Sequence, residues 1–189
     1  VRMLRAVRLA VKLGLEIEIP KDVNVKLKGR MLQVQGPLGK THKSFRKIPV
    51  IIEIIENKIN LKATGTRKKH YAILNTSRSL IRTLCEGVVD GYTIKMKIVY
   101  SHFPVSVKIQ DSKVLIENFQ GERAHRVAKI WGNTKVVAKG DDVIITGMVL
   151  TDVTQTAAEI ELKTKVKNKD HRVFLDGIYK YSKSKGMEK

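Results

Sequence analysis

VNVKLKGRMLQVQGPLG (Val23–Gly39) and VSVKIQDSKVLIENFQG (Val105–Gly121) lie on one another without a gap when the chain is slid against itself by 82 residues. Val23, Val25, Lys26 and Gly39 meet identical residues at Val105, Val107, Lys108 and Gly121, while Leu27, Leu32 and Val34 meet Ile109, Val114 and Ile116. The same offset carries Ile54, Ile55, Leu61, Thr64 and Gly65 onto Val136, Val137, Val143, Thr146 and Gly147. Valines match by chance in any strand-rich chain, but one register through two blocks with two glycines in step points to an internal duplication.

Each copy has the same local grammar. Val23, Val25, Leu27, then Leu32 and Val34, then Ile59, Leu61 and Ala63 alternate with polar residues, and period two sets one strand face on a core and the other in water. After Gly65 and Gly147 the apolar spacing changes to three and four: Ile73, Ser77, Leu80, Leu84, Val88 in the first copy and Val153, Ala157, Ile160 in the second, one face of a helix each time. Thr66 and Thr151 are the expected N-caps. Glu86-Gly87 is the expected end of the first helix, followed by a turn at Asp90-Gly91. The class is therefore α+β, two tandem homologous domains, each an antiparallel β-sheet with one helix on a face. Residues 1–14 read as a basic extension, 15–90 as the first repeat, 91–165 as the second, and 166–189 as a basic C-terminal tail.

The 189 residues carry 37 Lys and Arg against 18 Asp and Glu, a net charge of +19. A surplus of that size makes polyanions the default partners, nucleic acid before an anionic membrane surface. It is uneven: residues 1–90 hold 19 cations and 7 acids, residues 91–162 hold 9 and 8, and the last 27 hold 9 and 3. The N-terminal VRMLRAVRLAVKLG has the composition of a transit peptide, a surface-seeking helix or a basic arm. A lone Cys85 forms no internal disulfide and fits a reducing compartment. The sequence has no apolar run of about 18 residues, the length a membrane span requires.

The motifs of catalysis and cofactor binding do not close. GPLGKT (Gly36–Thr41) ends like a phosphate-binding loop, but the glycine needed at position 34 is Val34 and a strand follows instead of a helix. The GxxG clamp of KH domains sits between helices, so Gly36 and Gly39 are expected in a hairpin turn. Cys85 shares the apolar spacing of its helix and reads as a buried hydrophobe. His42, His70, His102, His125 and His171 show no metal-ligand spacing. Catalytic residues, metals and cofactors are therefore expected to be none. What remains is cationic: Arg67, Lys68 and Lys69 at the first helix start, where backbone amides favour anions; His102 in the exposed-looking YSHFP; and Arg123, Arg126 and Lys129 after the second glycine turn. Aromatics make up only 5% of the chain, so binding should go to phosphate and shape before bases.

GYTIKMKIVYSHFPVSV (Gly91–Val107), the Gln155–Ala158 helical segment and VKNKDHRVFLDGIY (Val166–Tyr179) closely resemble the universal six family of large-subunit ribosomal proteins, protein nine of the eukaryotic cytosolic subunit. The resemblance runs from about Glu16 to Tyr181, and its last motif is specific to the archaeal and eukaryotic branch. The extension through Gly14, Val173 and Tyr181 depart from the family's usual pattern. The resemblance implies two homologous domains and binding to large-subunit ribosomal RNA, chiefly through the second domain and tail. The place implied is beside the sarcin–ricin loop and near the stalk base, among neighbouring ribosomal proteins. It implies a cytoplasmic ribosomal location and no small-molecule substrate. In the closing segment it makes Lys165, Lys167, Lys169, Arg172, Tyr179, Lys180 and Lys183 RNA contacts, with Phe174, Leu175 and Ile178 anchoring the tail. Rivals are an RNA-binding or RNA-remodelling protein outside the ribosome, and an enzyme using Cys85 or a histidine.

Overall fold

A computed structural model describes residues 14–170 and 172–187. The chain divides into two compact units, one ending at Val89 and one beginning at Asp90. The expected basic extension lies outside the described residues apart from Gly14, as does His171.

The first unit runs β1 (Gly14–Glu18), β2 (Asn24–Lys28), β3 (Met31–Gly36), β4 (Gly39–Ser44), β5 (Val50–Ile55), β6 (Lys58–Ala63) and helix α1 (Lys68–Val89). The second runs β7 (Tyr92–Val99), β8 (Ser106–Gln110), β9 (Lys113–Glu117), β10 (Arg126–Lys129), β11 (Lys135–Lys139), β12 (Asp142–Gly147), helix α2 (Leu150–Lys163) and β13 (Gly177–Lys185). The α+β class in two units is what the structure shows. Within each unit the strands divide between two antiparallel sheets, β1-β6-β5 with β2-β3-β4, and β11-β12-β7-β13 with β10-β9-β8.

The duplication is visible in the pairing. Val25 faces Val34 and Leu27 faces Leu32 in the first copy; Val107 faces Ile116 and Ile109 faces Val114 in the second, each 82 residues on. The turns agree, since Gly29 and Asp111 both hold positive φ, 61° and 49°. The later block departs from that register. Its hairpins turn at Glu56, φ 52°, and Gly140, φ 58°, a spacing of 84. The offset is therefore not unbroken: a slip of two intervenes, which strand alternation hides because it keeps every side chain on its own face.

Alternate strand residues and one helix face close each core. Leu32, Val34, Ile59 and Leu61 meet Leu74, Ile81 and Val88 of α1; Ile94, Met96, Val114, Ile116, Val143 and Ile145 meet Val153, Ala157 and Ile160 of α2. Burying each of these larger aliphatic side chains contributes roughly 1.5–3 kcal/mol.

Three local expectations change. The buried stripe of α1 passes through Leu74 and Ile81, with Ile73 and Leu80 only half-buried; both pairs are apolar, so spacing alone did not choose between them. Neither threonine caps: α1 begins two residues after Thr66, while Thr151 lies inside the first turn of α2 behind Val149, which makes no side-chain cap. Gly87 is a buried position inside α1, which runs on to Val89, and the turn expected at Asp90-Gly91 follows with Gly91 at φ 76°.

Candidate nucleic-acid interface

The segment after α2 is positioned by internal hydrogen bonds before any cation is considered. Thr164, buried, donates its hydroxyl to the Ile160 carbonyl at 3.0 Å and accepts the Ile178 amide at 3.1 Å, tying the end of α2 to β13. Asp176 is 2% exposed and accepts the Ser101 amide at 2.6 Å. Its other oxygen lies 3.3 Å from His102 Nδ1, and the His102 ring stacks on Phe174 with centroids 4.7 Å apart. Burial pushes the Asp176 carboxyl up, but the Ser101 amide and His102 together bring it below the ordinary aspartate value. The Asp-Gly pair thus clasps the loop between β7 and β8.

From there the chain is not a loose tail. Gly177–Lys185 pairs with β7, Ile178 opposite Ile98 and Lys183 opposite Ile94, through a bulge between Lys180 and Ser182. The Thr93 hydroxyl donates to the Gly186 carbonyl at 2.6 Å. Sequence suggested an extended low-complexity run because Lys and Ser dominate its composition; the pairing comes from backbone groups, which composition does not report.

Arg126 is occupied internally. Its guanidinium pairs with Glu122 at 2.8 Å, donates to the Lys163 carbonyl at 2.8 Å and lies 4.3 Å from the centre of the Phe119 ring. It satisfies an end carbonyl of α2 and holds the loop before β10 against it. The hydrogen bond from Arg126 is the main reason the Glu122 carboxyl falls below the ordinary glutamate value, against a smaller opposing effect of burial. His102 and Arg126, read from sequence as RNA contacts, each have an internal partner that positions a loop, and the His102 side chain stays 39% exposed.

The other cations remain on the surface. Arg126 brings Arg123 and the α2 end together, so Arg123, Lys165, Lys167, Lys169 and Arg172 gather at one end of the second unit, all exposed. Arg172 lies 3.4 Å from Asp170, with 91% of its side chain exposed. Lys169 lies over the Phe174 ring at 4.5 Å and Lys129 over Trp131 at 4.8 Å. Lys180 and Lys183 lie along the edge strand β13, and Tyr179 donates its hydroxyl to the Leu175 carbonyl at 3.2 Å. Phe174 is half-buried and Ile178 buried, but the Leu175 side chain is 55% exposed. Arg67, Lys68 and Lys69 belong to the first unit, exposed at the start of α1, whose first turn holds no acid.

The alternative chemistry has no centre here. Burial, and secondarily the Glu86 charge, pushes the Cys85 thiol up to about 11, far from a nucleophile's range. Among the described residues no group of His, Cys, Asp and Glu could hold a metal ion, and no helix is long and apolar enough to cross a membrane.

Two cationic α+β units, with no metal-binding cluster among the described residues, make up the class of scaffold this fold defines. The model of the family described as Ribosomal protein L6 matches residues 103–177, which include Asp176, α2 and the cationic end. The chain is 45% identical over 168 residues to the large ribosomal subunit protein uL6 of Methanobrevibacter smithii, covering 89% of this chain and 94% of that one. It is 45% identical to that of Staphylothermus marinus, with 88% and 92% covered, and 42% identical to that of Sulfurisphaera tokodaii, with 92% and 94% covered. The chain belongs to the uL6 family of large-subunit ribosomal proteins, a family of ribosomal components and not of enzymes.

Proposed function

We propose that the chain is a structural constituent of the large ribosomal subunit in the cytoplasm. It grips ribosomal RNA through the cationic end of its second unit and β13, beside the sarcin–ricin loop and the stalk base, supporting the region where translational GTPases dock. The observation that carries the RNA contact is the division of labour at that end. Asp176, His102, Thr164 and Arg126 are spent on holding the loops, while Arg123, Lys165 and Lys167 enter no ion pair among the described residues. Cations held out on fixed loops suit the phosphates of a folded RNA, because little ordering is left to be done on binding. The location near the sarcin–ricin loop is supported by the family resemblance of Val166–Tyr179.

The test is sucrose-gradient sedimentation of tagged chain expressed in a methanogen, followed by crosslinking and mapping of the attached nucleotides. Wild-type chain is expected in large subunits with crosslinks around the sarcin–ricin loop. A chain that stays at the top of the gradient overturns the ribosomal role; crosslinks confined elsewhere in the subunit overturn the location alone.

A further inference from the structure

Between Asn24 and Lys47 the sequence holds seven Lys and Arg and no Asp or Glu. The fold turns that run into a surface. Across β2, β3 and β4 the register sets Lys26, Gln33 and His42 in one rung, Asn24, Gln35 and Lys40 in the next, and Lys28, Met31 and Ser44 in a third. Leu32 and Val34, at the intervening positions, are buried in the core. The polar side chains line a shallow cavity of about 290 Å³. Of the acids on this unit's strands and turns, Glu16 meets Lys58 at 3.3 Å and Glu53 meets Lys62 at 2.8 Å on the β1-β6-β5 sheet, while Asp22 and Glu56 line a cavity at the Asn24–Gln35 end of this face, away from Lys26 and Lys28.

The duplicated copy supplies a comparison inside the same chain. Lys26 corresponds to Lys108 and Gln35 to Glu117. In the second unit Glu117 lies 2.9 Å from Lys108 and accepts the Ser106 hydroxyl at 3.1 Å, so the lysine is neutralised on its own sheet. The first unit keeps the lysine and carries an amide where the carboxylate stands. Lys26, Lys28 and Lys40 enter no ion pair among the described residues.

We propose that the β2-β3-β4 face of the first unit is a second RNA-binding surface, holding a phosphate–sugar backbone independently of the cationic end of the second unit. Lys with interleaved Asn and Gln is the donor set that contacts phosphate and sugar. Lys26 and Lys28 stand about 6.6 Å apart along β2, and Lys40 lies two strands, about 9.6 Å, across the sheet in the neighbouring rung, a spread of point charges for a phosphate chain. An acidic protein partner fits less well, because such interfaces centre on large apolar or aromatic anchors and this face offers only Met31, 38% exposed. The face bears no Phe, Tyr or Trp, and His42 is its one ring on which a base could stack, so the contact is chiefly to the backbone. The ribosomal reading above supplies the choice of RNA; the surface itself rests on the charge pattern.

The experiment measures binding of the full chain to deproteinised large-subunit ribosomal RNA over a salt series. It compares wild type with Lys26→Gln/Lys28→Gln/Lys40→Gln and, separately, with Lys165→Gln/Lys167→Gln/Lys169→Gln. Three lost phosphate contacts should flatten the slope of log K against log salt by about 2 to 3. The Lys26→Arg/Lys28→Arg/Lys40→Arg chain should keep the wild-type slope. If the triple glutamine chain folds poorly, the single substitutions should each remove about 0.7 to 0.9. An unchanged slope in the first variant with a flattened one in the second overturns the inference and leaves the second-unit contact standing. Unchanged slopes in both overturn both. A face that takes an acidic protein leaves the RNA slope untouched and so counts against the proposal.

Discussion

Asp176 shows how one side chain decides what its neighbours can do. In sequence, Asp-Gly signals a turn, and the carboxylate reads as incidental. In the fold that carboxylate accepts the Ser101 amide and faces His102, which lies 74 positions away and had looked like an exposed ring for RNA. Long-range polar partners leave no local spacing, so neither end of the pair was legible; the same holds for Arg126 and the Lys163 carbonyl. Asp176→Ala leaves the part-buried Ser101 amide without its acceptor and His102 without its partner, which should cost about 1 kcal/mol of second-unit stability at neutral pH in urea unfolding. The sign of the pH effect follows from the lowered carboxyl. A group whose folded value lies below its unfolded value, near 3.8, adds stability above that value and loses it as pH falls through the folded one. Wild-type stability should therefore drop below about pH 4, and Asp176→Asn should lack this component of the drop. Equal stability of Asp176→Ala and wild type at pH 7 would show that the clasp holds nothing.

At the scale of elements, alternation and three-four spacing identified the strands around Leu32, Val34, Ile59 and Leu61 and both helices, because each buries one face and the period records which. Those signals failed where periodicity is silent. A slip of two residues between hairpins keeps every face, so the 84-residue spacing of Glu56 and Gly140 was invisible. β13 carries mainly Lys, Ser and Tyr beyond Ile178, so its membership of a sheet rests on backbone pairing with β7 and on the Thr93–Gly186 bond. GPLG lay between these cases. Its hairpin was legible from Gly36 and Gly39, but the Leu38 amide also donates to the Val88 carbonyl at 3.0 Å, so the turn seals the end of α1. Little apolar surface lies in Lys180–Lys189, so deleting it should weaken RNA binding and leave both domains folded; the register adds a loss of stability in the second. The deletion strips pairing partners from Tyr92, Thr93, Ile94, Lys95 and Met96 and makes β7 an edge. With each lost backbone bond worth about 0.5–1.5 kcal/mol net, the second unit should lose at least about 2 kcal/mol. Hydrogen exchange should show β7 amides opening sooner while amides of α1 keep their protection. Unchanged β7 protection would refute the pairing.

For the whole molecule, composition already announced a polyanion partner, but a count of charges does not say which of them are free. The fold sorts them. Lys58, Lys62, Lys97, Lys108 and Arg126 each meet a carboxylate of their own unit. Arg123, Lys165, Lys167, Lys169, Lys180 and Lys183 form no such pair among the described residues, and neither do Lys26, Lys28 and Lys40. Each phosphate neutralised releases condensed counterions, so the number of productive cations can be read from salt dependence without a structure of the complex. Six contacts from the second unit alone predict a log–log slope of about −4 to −5; adding three from the β2-β3-β4 face predicts about −6 to −8. The wild-type chain titrated against large-subunit ribosomal RNA from about 0.05 to 0.2 M salt should give the steeper value. A slope near −2 would mean that most of the +19 merely faces water, and that the order built into the loops serves something other than phosphate.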